Sequence, residues 1–223
     1  MTYANGTARR IAGLTTLPLA FALLTGCGTE AEPSGKAAPS SAPSASADAA
    51  NGPAPATGPV RSVGAKGSPC ALPLTLDAPA DWKAAPVKLE GDVAAAIGAQ
   101  GTVTLACELD ARPSGATGFL RVWTGALPGE DPRAALEAFV ADVPDEKREQ
   151  VVYREVKAGA LPAVEVTYLG TSSITEETEK ERALAVGTPS GVVVIVVDAM
   201  DDAEHDAVLP AYERAKQSVR TTQ

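Results

Sequence analysis

The chain has 223 residues, 28 of them acidic and 19 basic, for a formal charge of −9, and it holds a single histidine. That acid excess argues against nucleic acid as a partner and against direct docking of the surface on anionic lipid. One histidine also leaves little for a hydrolase that needs an imidazole base, and no G-x-S-x-G, G-x-x-x-x-G-K-[ST] or H-E-x-x-H string is present.

The N-terminus reads as an export signal. Arg9 and Arg10 precede an apolar run from Ile11 to Leu24, and small residues then lead into Cys27. At 1.5 Å per residue the run spans only about 21 Å, short of a bilayer's hydrocarbon core, so a permanent transmembrane helix is not expected. Leu24-Thr25-Gly26-Cys27 resembles the bacterial lipobox. The resemblance implies diacylglycerol on the Cys27 thiol and cleavage before it, leaving residues 1–26 as a removed signal peptide. Two or more acyl chains make such an anchor stable where one is marginal. Arg9-Arg10 only loosely matches the twin-arginine signal, so Sec export is the expectation.

Residues 28–67 hold 29 Ala, Pro, Ser or Gly among 40 and no aromatic residue. Such a segment buries too little apolar surface to offset its conformational entropy, so residues 27–67 are expected to be a lipidated cysteine followed by a disordered tether. As a flexible coil it would reach about 35 Å. Loss of Arg9 and Arg10 takes the formal charge of the mature chain to about −11. Residues 68–223 then form one domain with a proper core. With Cys27 lipidated, Cys70 and Cys107 remain as an even pair in an oxidising compartment, and a disulfide between them is expected.

Along the domain the pattern is mixed α and β. Leu72–Leu76 and the stretch from Trp82 to Leu89 suggest short strands around the turn "DAPADW". "VTLACEL" (Val103–Leu109) and "FLRVW" (Phe119–Trp123) suggest a hairpin with a long loop. Asp131 as N-cap, Pro132 at the first helical position and Pro144 as a stop frame a helix, whose Leu136, Phe139, Val140 and Val143 share one face. Val151–Val156 and Val164–Tyr168 suggest a hairpin turning at "KAGALP", and Arg182–Val186 with "VVVIVV" (Val192–Val197) a second around "GTPSG". Six consecutive apolar residues imply a central strand covered on both faces. Asp201 or Asp202 opens a closing helix through Arg220, with Val208, Tyr212, Ala215 and Val219 inward and Pro210 expected to bend it or break its first turn.

"LPAVEVTY", "ERALAVGTPSGVVVIVVDA" and "YERAKQSVR", with "PADWK" upstream, together resemble the PsbP-like fold, and within it the actinobacterial lipoproteins of the LpqN and LpqT group. The resemblance covers about residues 72–220. It implies an α+β domain in which an antiparallel sheet of about six strands lies between helices, an α/β/α sandwich on small non-catalytic proteins attached to larger assemblies.

Three stretches invite a chemical reading. "DAMDDAEHDA" crowds Asp198, Asp201, Asp202, Glu204 and Asp206 around His205, and Asp202 with Asp206 shares a helix face, as Asp201 does with His205. Asp198, Asp202, His205 and Asp206 are the candidates for a metal site, but the spacing is not that of a calcium loop and helix starts favour acids, so no metal or cofactor is expected. "EETEKER" (Glu176–Arg182) reads first as a solvated hairpin or edge-strand guard and second as a partner-docking patch. Trp82, Trp123 and Tyr168 are first core residues and second the lining of a ligand groove. No catalytic residue is expected. The function expected is that of a membrane-anchored, extracytoplasmic binding or accessory module. It would meet the membrane through the lipid on Cys27 and serve an envelope protein. The alternatives are a carrier of a small hydrophobic ligand in a groove between sheet and helix, and a metal-dependent enzyme. An apolar cavity of several hundred Å³ is the mark of the carrier, and carboxylates converging from several elements that of the enzyme.

Overall fold

The computed structural model describes residues 56–92, 98–144 and 146–222. The signal segment, Cys27 and the tether as far as residue 55 lie outside the described residues. Strands β1 (Val60–Val63) and β2 (Leu74–Pro79) are followed by β3 (Lys83–Pro86), β4 (Ala99–Gln100), β5 (Val103–Asp110) and β6 (Phe119–Gly125). Helix α1 (Pro132–Ala141) leads to β7 (Glu146–Ala158), β8 (Leu161–Ser172), β9 (Thr178–Thr188) and β10 (Gly191–Asp198). Helix α2 (Asp202–Ser218) and β11 (Arg220–Thr221) close the chain.

The main sheet is antiparallel and runs β3-β5-β6-β10-β9-β8-β7, with β4 paired to β5. A second, three-stranded sheet runs β1-β2-β11. The α+β class is as expected. The main sheet has eight strands where about six were expected, and the segment around Leu74 belongs to the small sheet.

Strand β10 explains the layering. Val192, Val193, Val194 and Ile195 are all fully buried, so both faces of this strand must be covered. On one face Val193, Ile195 and Val197 pack with Leu74, Leu76, Val208 and Tyr212, from the small sheet and α2. On the other, Val192 and Val194 pack with Trp123, Leu136, Phe139 and Val140, from β6 and α1. The predicted inner faces of both helices are the buried ones, except that Val143 is only half-buried beyond the end of α1.

Local signals set the helix ends. The Asp131 carboxylate accepts from the Arg133 N–H at 2.7 Å, with Pro132 in the first turn, and α1 stops at Ala141 with Asp142 as its C-cap, ahead of Pro144. Asp201 caps α2 by accepting from the Glu204 N–H at 2.8 Å. That helix runs through Pro210 without the break that was one of the two expectations; Asp206, whose carbonyl loses its partner there, is exposed to water.

A second correction concerns where the fold begins. Residues 60–67 were assigned to the tether, yet Val60–Val63 pairs with β2 in the register Val60↔Pro79 to Val63↔Leu76, and Val63 is fully buried. Two valines in four residues supply the strand that the Ala/Pro/Ser/Gly composition conceals. Cys70, in the loop between β1 and β2, forms a disulfide with Cys107 of β5, the Cα atoms 5.9 Å apart.

Candidate functional site

The acidic stretch around His205 is dispersed by the fold. Asp198, at the end of β10, points to the α1 side of the main sheet, where its carboxylate meets Arg121 at 3.0 Å. Asp202 and Asp206 lie on α2 and are neutralised by Lys180 at 3.5 and 3.1 Å. Asp201 and Glu204 serve the helix start, Glu204 accepting from the Met200 N–H at 3.0 Å. His205 is buried, with Nδ1 3.2 Å from the Asp206 carboxylate, and burial pushes its pKa down in spite of that neighbour. Among the described residues no group of three or more His, Cys, Asp or Glu side chains is placed to hold a metal ion. The four metal candidates are not brought together.

A different set of carboxylates does converge from several elements, the mark named for the enzyme, but His205 is not among the walls of their cavity. A cavity of about 170 Å³ opens on the α1 side of the sheet, beyond the C-terminal end of that helix, and its walls include Trp123, Phe139, Tyr168, Glu146, Glu181 and Asp198. Strands β6, β7, β8, β9 and β10 each contribute to it. Alternation along the strands explains the placement. In β9 the buried Ala183 and Ala185 face α1, and Glu181, two residues earlier, must point the same way. Tyr168 stands directly opposite Glu181 across the β8–β9 ladder.

Two of the three acids have a counter-ion. Arg121 joins Asp198 to Glu108 at 3.0 and 2.9 Å, and Arg148 lies 3.2 Å from Glu146. Glu181 has neither an ion pair nor a hydrogen bond among the described residues. Burial, reinforced by Glu146, Glu179 and Asp198, pushes its carboxyl up to about 8. Burial likewise raises Glu146 against the pull of Arg148, Asp198 against that of Arg121, and the Tyr168 hydroxyl. Trp123 sits edge-on to Phe139 with ring centroids 5.3 Å apart, and its buried indole N–H finds no acceptor among the described residues.

The sequence readings map unevenly onto this site. Trp123 and Tyr168 line the cavity, whereas Trp82 belongs to the core on the other face of the sheet. "EETEKER" is not an edge guard in its second half, because β9 lies between β8 and β10. Glu181 enters the cavity and Arg182 crosses to α2, where it meets Glu213 at 3.0 Å. There the sequence reading missed a second buried network. Tyr212 Oη donates to Glu165 at 2.8 Å, while Lys216 lies 3.0 Å from Glu165 and 2.8 Å from Glu213. The available signal was a charged residue inside an otherwise apolar strand, as at Glu165 in "AVEVTY".

A separate apolar groove of about 730 Å³ runs between the start of α1 and the β7–β8 hairpin. Pro132, Val156, Pro162, Ala163 and Val164 line it, and Arg133, Glu155 and Lys157 stand among them. Among the described residues no helix is long and apolar enough to cross a membrane.

The cysteine pair and the fold stand beside what the chain is similar to among known proteins. It is a lipoprotein by family: residues 38–219 match the family described as uncharacterised lipoprotein, and the chain belongs to it. A comparison with curated proteins gave no match. Among solved structures it is similar to the solution structure of cyanobacterial PsbP (CyanoP) from Synechocystis sp. PCC 6803. The identity is 11%, covering 73% of this chain and 92% of that one, with a TM-score of 0.48.

Proposed function

We propose that this protein is a lipid-anchored, extracytoplasmic binding module without catalytic activity, related to the actinobacterial LpqN and LpqT group and held near its envelope partner by the Cys27 lipid and a flexible arm. The observation that carries the reading is the cysteine pairing. Cys70 and Cys107 take each other, so Cys27, in its lipobox-like setting, is the one cysteine of three left over. Membership of a lipoprotein family supports the same assignment. Tethering raises the effective concentration of the domain at the membrane without any new contact.

The test is mild cross-linking and co-purification from detergent-solubilised membranes, with wild type and Cys27→Ala compared, and the mass of the mature N-terminal peptide measured alongside. The expected outcome is an acylated N-terminal cysteine, loss of membrane association in Cys27→Ala, and a protein partner recovered with wild type alone. A Cys27→Ala protein that stays on the membrane sinks the anchor.

The apolar groove beside α1 favours a second reading, a carrier of a small hydrophobic ligand, because about 730 Å³ lies within the usual size of such sites. A lipid recovered with the purified protein, and lost when Ala163 in the groove floor is replaced by Trp, would put this reading first.

A further inference from the structure

Strand β7 ends the main sheet, and among the described residues no strand pairs with its outer side. It is 13 residues long, whereas β3, at the opposite end of the sheet, has four. A long open edge offers unpaired N–H and C=O groups to another strand, and charged side chains are the usual guard against that. A guard needs only charge. The charges of β7 also have an order that complements its own reverse.

The bulge decides which backbone groups the edge offers. At the end of β8 the Ser172 N–H donates to the Glu177 carbonyl at 3.0 Å, so the even-numbered residues of β8 bond β9 and the odd-numbered ones bond β7. Opposite those odd residues stand Lys147 and Glu149 before the bulge, and Val152, Arg154, Val156 and Ala158 after it. The outer edge therefore presents the backbone of Glu146 and Arg148 in the first half of β7 and of Tyr153, Glu155 and Lys157 in the second. The change from even to odd falls at Gln150, where φ is +54°.

A second β7 laid antiparallel on this edge must bring outward-facing residues opposite each other. Because of the bulge, the first half of one copy meets the second half of the other in that way when Glu146 stands opposite Lys157 and Arg148 opposite Glu155. The same register sets Glu149 opposite Arg154, and Val151 opposite Val152. All three charged pairs are of opposite sign. A two-fold axis normal to the sheet keeps each face on its own side, and Glu146, Glu155 and Lys157 all lie on the α1 side. The two valines, each 40% exposed, meet at the axis. A slip of two residues, the smallest that keeps the backbone pairing, sets Glu146 against Glu155 and Lys147 against Arg154 in one direction, and Arg148 against Lys157 in the other. Like charges directly opposite are destabilising, so one register is selected. Among the described residues the ion pairs of β7 fall in its first half, Lys147 with Glu149 and Arg148 with Glu146, which leaves Arg154, Glu155 and Lys157 for a partner.

We propose that the β7 edge is a docking surface for a second copy of this chain, which continues the main sheet across a two-fold axis at Val151 and Val152. The pairing concerns the folded domain and does not depend on the lipid on Cys27.

The test is sedimentation equilibrium of the full chain in a density-matched non-ionic detergent, with Glu149→Arg, Arg154→Glu and the double variant alongside. Both side chains are exposed, and a far-ultraviolet circular dichroism spectrum checks that each variant keeps the fold. Wild type is expected to dimerise with a Kd below about 1 mM, and each single reversal to weaken the dimer by about tenfold. The double variant, which restores opposite signs at both symmetry-related pairs, should recover the wild-type affinity. A wild type that stays monomeric to that concentration overturns the proposal and leaves the edge to a strand of another protein. A dimer indifferent to the single reversals, or one that the double variant does not restore, overturns it as well.

Discussion

Glu181 carries a measurable consequence apart from any ligand. Its carboxyl is raised from the ordinary 4.5 to about 8 by burial and by the acids around it. The folded state therefore binds a proton that the unfolded state has released, and stability falls as pH rises from about 4.5 through about 8. His205 acts in the opposite sense. Burial holds its imidazole neutral, so its contribution is lost as pH falls through the ordinary histidine range. The comparison of wild type with Glu181→Gln isolates the acid. Urea unfolding at pH 5 and pH 8 should show Glu181→Gln more stable than wild type at pH 8 by about 2 kcal/mol, with the two nearly equal at pH 5. A wild-type excess at pH 8 would remove the account given of Glu181. In the network under α2, Lys216 serves both Glu165 and Glu213, whose side chains are 10% and 7% exposed. Lys216→Met leaves two buried carboxylates dependent on Arg182 and Tyr212, and its cost in the same assay should be about 3 kcal/mol. Tyr212→Phe, which deletes one hydroxyl from a filled core position, should cost only about 1 kcal/mol.

At the scale of elements, the turn of the β7–β8 hairpin rests on the end of α2 at a glycine, in addition to the Glu165 contacts further along β8. Gly159 turns the hairpin with φ +56° and donates its N–H to the Lys216 carbonyl at 2.8 Å. A Cβ there would overlap the Val219 carbonyl oxygen, so both the backbone angle and the space demand glycine. Gly159→Ala should lower stability by about 1–2 kcal/mol from the left-handed backbone alone, and by more if the hairpin is pushed off the helix. A thermal melt decides it, and an unchanged midpoint would mean that the turn itself does not rest on the end of α2. The same hairpin brings Glu146 to the carboxylate cavity at one end of β7 and Val156 to the apolar groove at the other. Strand β7 therefore helps to build both candidate binding places, although its exposed middle, around Gln150 and Val151, belongs to a bulge on the sheet edge.

At the scale of the molecule, the disulfide joins the small sheet's connecting loop to the main sheet. Cys70 precedes β2, Cys107 lies in β5, and 37 positions separate them. A loop of that length corresponds to about 4 kcal/mol in the chain-entropy account, and native disulfides typically deliver 2–4 kcal/mol. Replacing both cysteines with serine should cost within that range in urea unfolding under oxidising conditions, and wild type should fall to the same value once reduced. Equal stability of the two oxidised proteins would mean that the small sheet holds to the main sheet by packing alone.

The sequence by itself determined the elements whose cause is local. The caps at Asp131 and Asp201, the apolar faces of the two helices, both late hairpins and the two-faced burial of Val192–Val197 all follow from short-range chemistry and periodicity. The even cysteine pair was legible for the same reason, whereas the lipobox-like stretch ending at Cys27 lies outside the described residues. Tertiary structure alone decided what depends on residues far apart in the chain: that Val60–Val63 closes the small sheet, that Asp198 leaves the acidic cluster for Arg121, and that Glu181 and Arg182, neighbours in a charged run, part to opposite faces of a central strand. A run such as "EETEKER" looks the same on an edge as in the middle of a sheet. Only the strand order, set by contacts between distant segments, determines which of its charges meet water and which turn towards the cavity or towards α2.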